Sequence, residues 1–200
     1  MEEKEKGAAP VWKLGTKRLR LRELTEEDWP DVCRMLQDEE VMRAWEHPFT
    51  EEEVRLWMAR QIARYREYRH KYGLWAVVRK SDGRLIGQMG LTLQDRGDRY
   101  VLEIGYVFEK AAWHHGYAIE AARALRDYAF RHICVDEVYS IIRENNGPSL
   151  AVARRNGMTP SGEVVRHYYG IDMVHKLCRI TREEWNRLEK AGSGTENQKK

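Results

Sequence analysis

The chain has 200 residues, of which 42% are hydrophobic and 34% charged, and its formal net charge is +3. This length fits one domain with a hydrophobic core, and the apolar share is too high for a disordered chain. No apolar run approaches the ~20 residues of a membrane-spanning helix, and the polar N-terminus does not have the apolar segment of a signal peptide. Cys33, Cys134 and Cys178 are far apart, which argues against disulfides and cysteine-rich metal sites and favours a reducing, cytoplasmic location.

The charge pattern bears on the partners of this protein. A net charge of +3 is small for a nucleic-acid-binding domain. Basic residues cluster in 55–71, but acidic residues are interspersed among them, so a solvated helix face is favoured over a nucleic-acid groove. We therefore expect neither nucleic acid nor a membrane as a partner, whereas a mildly basic domain suits an anionic cofactor.

The sequence predicts a simple domain organisation. Residues 1–12 and 190–200 are polar and unpatterned, which predicts mobile tails at both ends. Neither an internal repeat nor a linker rich in Gly, Ser or Pro divides the stretch between them. Residues 13–189 are therefore predicted to form a single domain.

In chain order, the first predicted elements are one strand and two helices. Residues 17–24 alternate leucine with arginine, as in a half-buried strand. Thr25 begins a helix, with Asp28 as its acidic capping partner. Thr50 begins a second helix with an acidic first turn, which the helix dipole favours, and Gly73 is predicted to end it.

Three strands are predicted next. Residues 74–79 and 84–93 form a hairpin around the turn Ser81-Asp82-Gly83. A second turn at 95–98 leads into a strand at 100–108. Because apolar side chains occupy both faces of this last strand, we expect it to lie in the centre of the sheet.

The second half of the chain alternates helices with strands, which predicts a mixed α/β sheet with helices on its faces. Gly157 closes one helix as a left-handed C-cap, and Glu184 completes a capping box at the start of the last helix. We expect an edge strand at 174–180 that either pairs across a homodimer or is covered by the final helix. The predicted elements are helix 116–131, strand 137–142, helix 146–156, strands 162–169 and 174–180, and helix 181–188.

Residues 102–120 are the most informative stretch. An apolar strand ends in a short loop, and Gly116-Tyr117-Ala118 then begins a helix. The helix start directs unpaired backbone N–H groups and the positive end of its dipole at whatever lies beyond the strand. This arrangement predicts a seat for a phosphate group.

Two motifs in order resemble those of the GNAT N-acetyltransferase superfamily, over roughly residues 17–185. The first is the strand 103–107 followed by Trp113-His114-His115-Gly116-Tyr117-Ala118. Gly116 and Ala118 match the family pattern, whereas Trp113 stands where the family has Arg or Gln. The second is Asn146-Gly147-Pro148-Ser149, with a Gly-hydrophobic pair further on. The end of the domain is similar to the branch of ribosomal-protein N-terminal acetyltransferases.

The resemblance implies a mostly antiparallel sheet, acetyl-CoA as the donor and a primary amine as the acceptor. It implies that the parallel strands 100–108 and 137–142 separate beside the pantetheine arm, and that the pyrophosphate lies on the loop before Ala118. His114 and His115 either donate to phosphate oxygens or are simply exposed loop residues. No ligand set for a metal accompanies them. The cofactor-binding residues implied are Tyr106, Val107, Trp113, His114, His115, Gly116, Tyr117, Ala118, Asn146 and Ser149.

Glu103 and Ser149 are the candidate catalytic residues. Burial of Glu103 in a central strand would raise its pKa and let it accept a proton from an ammonium, directly or through water. A strand-end salt bridge is the structural alternative, and His167 is a second candidate base. Ser149 is a candidate acid for the CoA thiolate, because the tyrosine that many family members carry four residues later is Ala153 here.

The predicted reaction is direct attack of the amine on the thioester. Cys134 and Cys178 lie in apolar sequence and are predicted to be core residues, so neither is a candidate nucleophile. Aromatic residues in 45–57 are candidates for the acceptor pocket, although Trp57 could equally pack helix against sheet. The acceptor stays open between a protein N-terminus and a small amine. The alternative function is a non-catalytic acyl-CoA-binding sensor or scaffold module.

Overall fold

The computed structural model describes residues 12–45, 47–168 and 170–196. Within these residues, eight strands form one sheet in the order β1-β2-β3-β4-β5-β6-β8-β7, in which β5 and β6 are the only neighbours that run parallel. The strands are β1 (Trp12–Gly15), β2 (Leu19–Glu23), β3 (Gly73–Arg79), β4 (Leu85–Asp95), β5 (Tyr100–Phe108), β6 (Glu137–Arg143), β7 (Thr159–Tyr168) and β8 (Ile171–Thr181).

Five α-helices in the described residues cover the sheet: α1 (Trp29–Leu36), α2 (Glu51–Glu67), α3 (Tyr117–Tyr128), α4 (Gly147–Arg155) and α5 (Arg182–Glu196). Trp57 of α2 donates to Gln88, which lies opposite Val107 on one face. Tyr106, the neighbour of Val107 in β5, points to the other face and toward Ser149 of α4. The predicted mixed, mostly antiparallel α/β fold with helices on both faces is confirmed.

The first part of the chain corrects one prediction. Helix α2 ends at Glu67, and Gly73 begins β3 instead of closing the helix. The chain leaves the helix through Arg69 and His70, which both have positive φ. Gly73 serves a different purpose, because a Cβ atom there would lie 2.8 Å from the ring of Tyr65.

The second half of the chain corrects two more. β8 lies between β6 and β7, so the predicted edge strand is an interior strand and β7 is the edge instead. The reason is that the β7–β8 hairpin folds back, so that residues 175–181 of β8 pair with the whole of β6. Cys178 is buried as predicted, but Cys134 is exposed, because it ends the π-helical turn Ala129–Ile133 in a left-handed conformation.

The ends of the chain only partly fall within the described residues. Trp12, at the border of the predicted N-terminal tail, begins β1, and α5 continues to Glu196 inside the predicted C-terminal tail. Residues 1–11 and 197–200 lie outside the described residues, as does Tyr169 at the predicted end of β7. Among the helices that are described, none combines the length and the apolar character that crossing a bilayer would require.

The site is positioned by the divergence of β5 and β6. β4 and β5 pair continuously, from Gly87 opposite Phe108 to Asp95 opposite Tyr100. In contrast, the register between β5 and β6 holds one pair, Glu103 opposite Tyr139. Beyond that pair the strands separate, and the edge of β5 at Tyr106 and Val107 faces a cleft instead of a strand.

Candidate functional site

The cleft between the diverging strands has a volume of about 650 Å³. Its floor is the end of β5 at residues 106–108. One wall is the loop and first turn of α3, and the opposite wall is α4. The short turn Val41–Ala44, which connects α1 toward α2, lies along a third side.

The start of α3 has the geometry that the sequence predicts for an anion seat. Gly116 is the N-cap residue, with φ +78°, a left-handed conformation that suits glycine. Gly116, Tyr117 and Ala118 all line the cleft, so the first N–H groups of α3 lie beside it. Arg18, which directly precedes β2, donates to the carbonyl of His115 at 2.9 Å and fixes the loop.

The two histidines of this loop have different positions. His114 has φ +62° and lines the cleft, whereas His115 is exposed and is not among the cleft residues. Trp113 also lines the cleft, and its Nε1 donates to the carbonyl of Phe108 at 3.0 Å. The indole therefore ties the loop to the end of β5.

Helix α4 supplies the other wall through its N-terminal turn. The side chain of Asn146 accepts a hydrogen bond from the Ser149 N–H at 3.2 Å, which confirms it as the helix cap. Ser149 lines the cleft across from Tyr106. The Tyr106 hydroxyl is buried and makes no hydrogen bond of good geometry with the described residues. Burial raises the pKa of Tyr106 to about 12, and the nearby Ser149 hydroxyl and Arg155 act in the opposite direction.

Glu103 lies at the fork where β5 and β6 separate. Its Oε1 accepts a hydrogen bond from the N–H of Ile141 at 3.0 Å. Burial raises the pKa of Glu103 to about 7, although the Ile141 hydrogen bond and the charge of Arg166 both oppose this rise. Glu103 forms no ion pair among the described residues, so the strand-end salt bridge that was the structural alternative is not observed.

The space next to Glu103 is open on the same face of β5. A Cβ atom placed on Gly105 would meet nothing closer than the Glu103 Oε2 at 4.0 Å. At Gly90, directly opposite Gly105, a Cβ atom would instead lie 1.8 Å from the carbonyl oxygen of Gly73. Gly90 is thus required by packing, whereas Gly105 leaves room beside a carboxylate.

The remaining candidates lie away from the fork. His167 is at the tip of the β7–β8 hairpin, where its side chain is 67% exposed and contacts Asp172 at 2.8 Å. Trp57 packs helix α2 on the sheet and donates to Gln88, whereas Trp45 lines the cleft. Within the part of the chain that is described, no three metal-binding side chains come together.

Sequence reasoning missed three features of this cleft. The first is that the Tyr106 hydroxyl faces Ser149. The alternation of side chains along β5 was the signal that could have placed Tyr106 on this face. Arg43 and Arg155 line the cleft from the Val41–Ala44 turn and from α4. No local pattern indicates these two arginines, because long-range folding brings them to the cleft.

Comparison with known proteins agrees with this geometry. Residues 18–159 match the family model of the acetyltransferase (GNAT) domain. An uncharacterized Bacillus subtilis protein, YkkB, is 33% identical over 147 residues, covering 73% of this chain and 84% of its own. The Aspergillus fumigatus FsC-acetyl coenzyme A-N(2)-transacetylase is 31% identical over 194 residues, covering 88% of this chain and 79% of its own.

A solved structure shares the fold. A RimL ribosomal L7/L12 alpha-N-protein acetyltransferase in complex with coenzyme A superposes with a TM-score of 0.70 at 18% identity, covering 86% of this chain and 98% of its own. The cleft at the fork of two parallel strands, the helix start beside it and the extent of the family match lead to one conclusion. The chain belongs to the GNAT acetyltransferase family.

Proposed function

We propose that this protein transfers the acetyl group of acetyl-CoA to a primary amine, which attacks the thioester directly in a ternary complex. One observation carries the proposal: the same strand, β5, holds Glu103 at the fork and leads to the anion seat at Gly116. One strand thereby joins a proton acceptor at the fork to a phosphate seat in the cleft; Glu103 is not itself among the residues that line the cleft, which begins three residues further along β5 at Tyr106.

The cleft fits the donor. The first turn of α3 would hold the pyrophosphate through its unpaired N–H groups, and Gly116 suits the left-handed conformation, φ +78°, at the start of this helix. The exposed edge of β5 at Tyr106 and Val107 would hold the pantetheine arm, and Asn146 and Ser149 border it from α4. Acetyl-CoA supplies an activated acyl group as a thioester.

Glu103 acts as the base. Amines are largely protonated at neutral pH, so a proton must leave before nitrogen can attack. A carboxylate with a pKa of about 7 accepts this proton better than one at the ordinary value of 4.5. Its hydrogen bond to Ile141 occupies one oxygen and leaves the other directed toward the open space at Gly105.

Ser149 donates the proton that the CoA sulfur requires, and Tyr106 supports it. The two hydroxyls face each other across the cleft wall. A phenol is a stronger acid than an aliphatic alcohol, so Tyr106 can return a proton to Ser149 and regain its own from bulk water once CoA has left. Alignment of amine and thioester in the cleft would supply much of the rate enhancement.

The acceptor is a protein N-terminus or a small amine. A fold relative acts on a protein α-amine, and the Aspergillus relative is an N(2)-transacetylase, so both classes belong in a screen. A cytoplasmic site of action is part of the proposal. It is supported by Cys33, Cys134 and Cys178, which are all free thiols.

Donor binding is tested by calorimetry with acetyl-CoA. Gly116→Trp should abolish binding by filling the anion seat. Gly116→Ala should weaken binding, whereas Gly83→Ala, at a hairpin glycine with a similar φ of +70° and no atom within 4 Å, should carry the same backbone strain without that effect. Wild-type protein that does not bind acetyl-CoA, or Gly116→Trp that binds equally well, would contradict the proposal.

Catalysis is tested by release of free CoA in the presence of N-terminal peptides, polyamines and other small amines. Steady release that depends on the amine excludes the alternative of a non-catalytic sensor or scaffold. Binding of acetyl-CoA with no turnover on any amine would favour that alternative. Ser149→Ala and Tyr106→Phe should then each lower turnover while acetyl-CoA still binds.

A further inference from the structure

Arg43 lies over the face of Trp113 at the phosphate end of the cleft. The centre of its guanidinium is 5.6 Å from the centroid of the ring. Both residues line the cleft, although Arg43 comes from the Val41–Ala44 turn and Trp113 from the loop before α3. Stacking on an indole restricts the arginine side chain and leaves its N–H groups available at the rim of the ring.

The turn that carries Arg43 is held in place from both sides. Val41 and Met42 are buried in the core, which anchors the turn next to the exposed arginine. At the end of the turn, Arg143 of β6 donates to the Ala44 carbonyl at 3.4 Å. Just before the turn, Glu40 forms an ion pair with Lys110. Arg43 is therefore presented to the cleft by a fixed backbone.

The charge of Arg43 is not neutralised by a described carboxylate. By comparison, Arg18 pairs with Glu120 and Arg34 pairs with Asp31, each at 2.6 Å. Among the described residues, Arg43 forms only the contact with Trp113. A cation at the wall of a cleft, stacked and without a carboxylate partner, is suited to an anion on a ligand.

The position of Arg43 indicates which anionic group of a ligand it would contact. Trp113 follows the end of β5 at Phe108, five residues beyond Glu103. At about 3.3 Å per residue, the strand alone separates the two ends by roughly 17 Å. Arg43 thus lines the same cleft as His114 and Gly116 and contacts the loop that carries them, whereas Glu103 is not among the residues that line this cleft.

We propose that Arg43, stacked on Trp113, is a binding residue for the pyrophosphate of coenzyme A. This inference rests on the proposed function. The related motif has Arg or Gln where this chain has Trp113, and Arg43 brings a guanidinium to the same loop from a different part of the chain. The cation therefore reaches the phosphates through tertiary structure instead of through the motif.

The test measures the dissociation constants of CoA and of dephospho-CoA, which lacks the 3′-phosphate, by calorimetry. Arg43→Gln should raise both constants by a factor of about ten at low salt and less at high salt. The matched control is Arg20→Gln, because Arg20 is an exposed arginine stacked on Trp12 at 5.4 Å and is not among the residues that line the cleft. That variant should bind both ligands like the wild type.

A coupling measurement adds a second readout. Trp113→Leu should shrink the effect of Arg43→Gln, whereas Trp113→Phe keeps an aromatic face and should preserve it. If Trp113→Leu does not fold, Trp113→Phe and the Arg43 variants decide the question alone.

Two results would overturn the inference: unchanged binding in Arg43→Gln, or weaker binding of CoA with normal binding of dephospho-CoA, which would assign Arg43 to the 3′-phosphate. Wild-type protein that binds neither ligand would instead refute the proposed function, and the proposed role of Arg43 would fall with it. Binding without turnover would affect only the catalytic part of the proposed function, because the Arg43 experiment needs no acceptor.

Discussion

The Glu103 carboxylate accepts a hydrogen bond from the Ile141 amide at 3.0 Å, at the point where β5 and β6 stop pairing. The contact lies where the pairing of the parallel strands stops, and it fixes an acidic side chain at the fork. Because burial outweighs the hydrogen bond, the carboxyl group keeps a pKa of about 7.

Glu103→Gln should lower kcat/KM by about 10²- to 10⁴-fold, the usual contribution of a general base. The wild-type rate should rise with pH through a midpoint near 7, because the carboxyl group must lose its proton before it can accept one from the amine. The variant should lose this limb. The measurement is the pH profile of kcat/KM on an identified amine, with the exposed Glu163→Gln as the control. Full turnover in Glu103→Gln would remove Glu103 from the mechanism.

The same substitution should change how stability depends on pH. The native pKa of about 7 exceeds the ordinary value of 4.5, so the folded state binds more protons than the unfolded state between these values. Glu103 therefore contributes a loss of stability as pH rises through this window, of up to about 3 kcal/mol. Glu103→Gln should be close to wild type at pH 4.5 and more stable at pH 8, by urea unfolding at each pH. An equal difference at both pH values would contradict the raised pKa.

Gly105→Ala should fold normally and yet impair the reaction. Its Cβ atom meets nothing within 4 Å except the Glu103 carboxylate at that distance, so we expect a change in stability within about 0.5 kcal/mol. The methyl group would occupy the space proposed for the attacking amine, which should raise the KM of the acceptor and leave acetyl-CoA binding unchanged. Gly90→Ala is the contrasting variant and should destabilise the fold. Unaltered acceptor kinetics in Gly105→Ala would place the amine elsewhere.

Tyr65→Phe should lower stability by about 1–3 kcal/mol without altering the cleft. The buried hydroxyl accepts from the Leu24 N–H at 3.0 Å and donates to the Leu74 carbonyl, so its loss leaves two buried backbone groups unpaired. Tyr100→Phe, at a side chain that is 72% exposed, should be neutral. Chemical denaturation of both variants tests the claim that this hydroxyl joins α2 to β2 and β3.

The sequence by itself determined what local chemistry controls. Periodicity located most strands and helices, a turn signal located the Gly83 hairpin, and Gly116 and Asn146 revealed the starts of α3 and α4. Each of these features depends on the conformational preference of a few neighbouring residues. For this reason the anion seat and the motif of α4 could be found before the fold was known.

Tertiary structure decided which side chains meet. Glu103 and Ile141 are 38 residues apart in the chain, and Arg43 reaches Trp113 from a different element altogether. The long-range pairing of β8 with β6 placed β8 inside the sheet and left β7 at the edge. Burial and long-range contact set the pKa of Glu103 and the surroundings of Tyr106, because desolvation depends on all the atoms that surround a group and not on its neighbours in sequence.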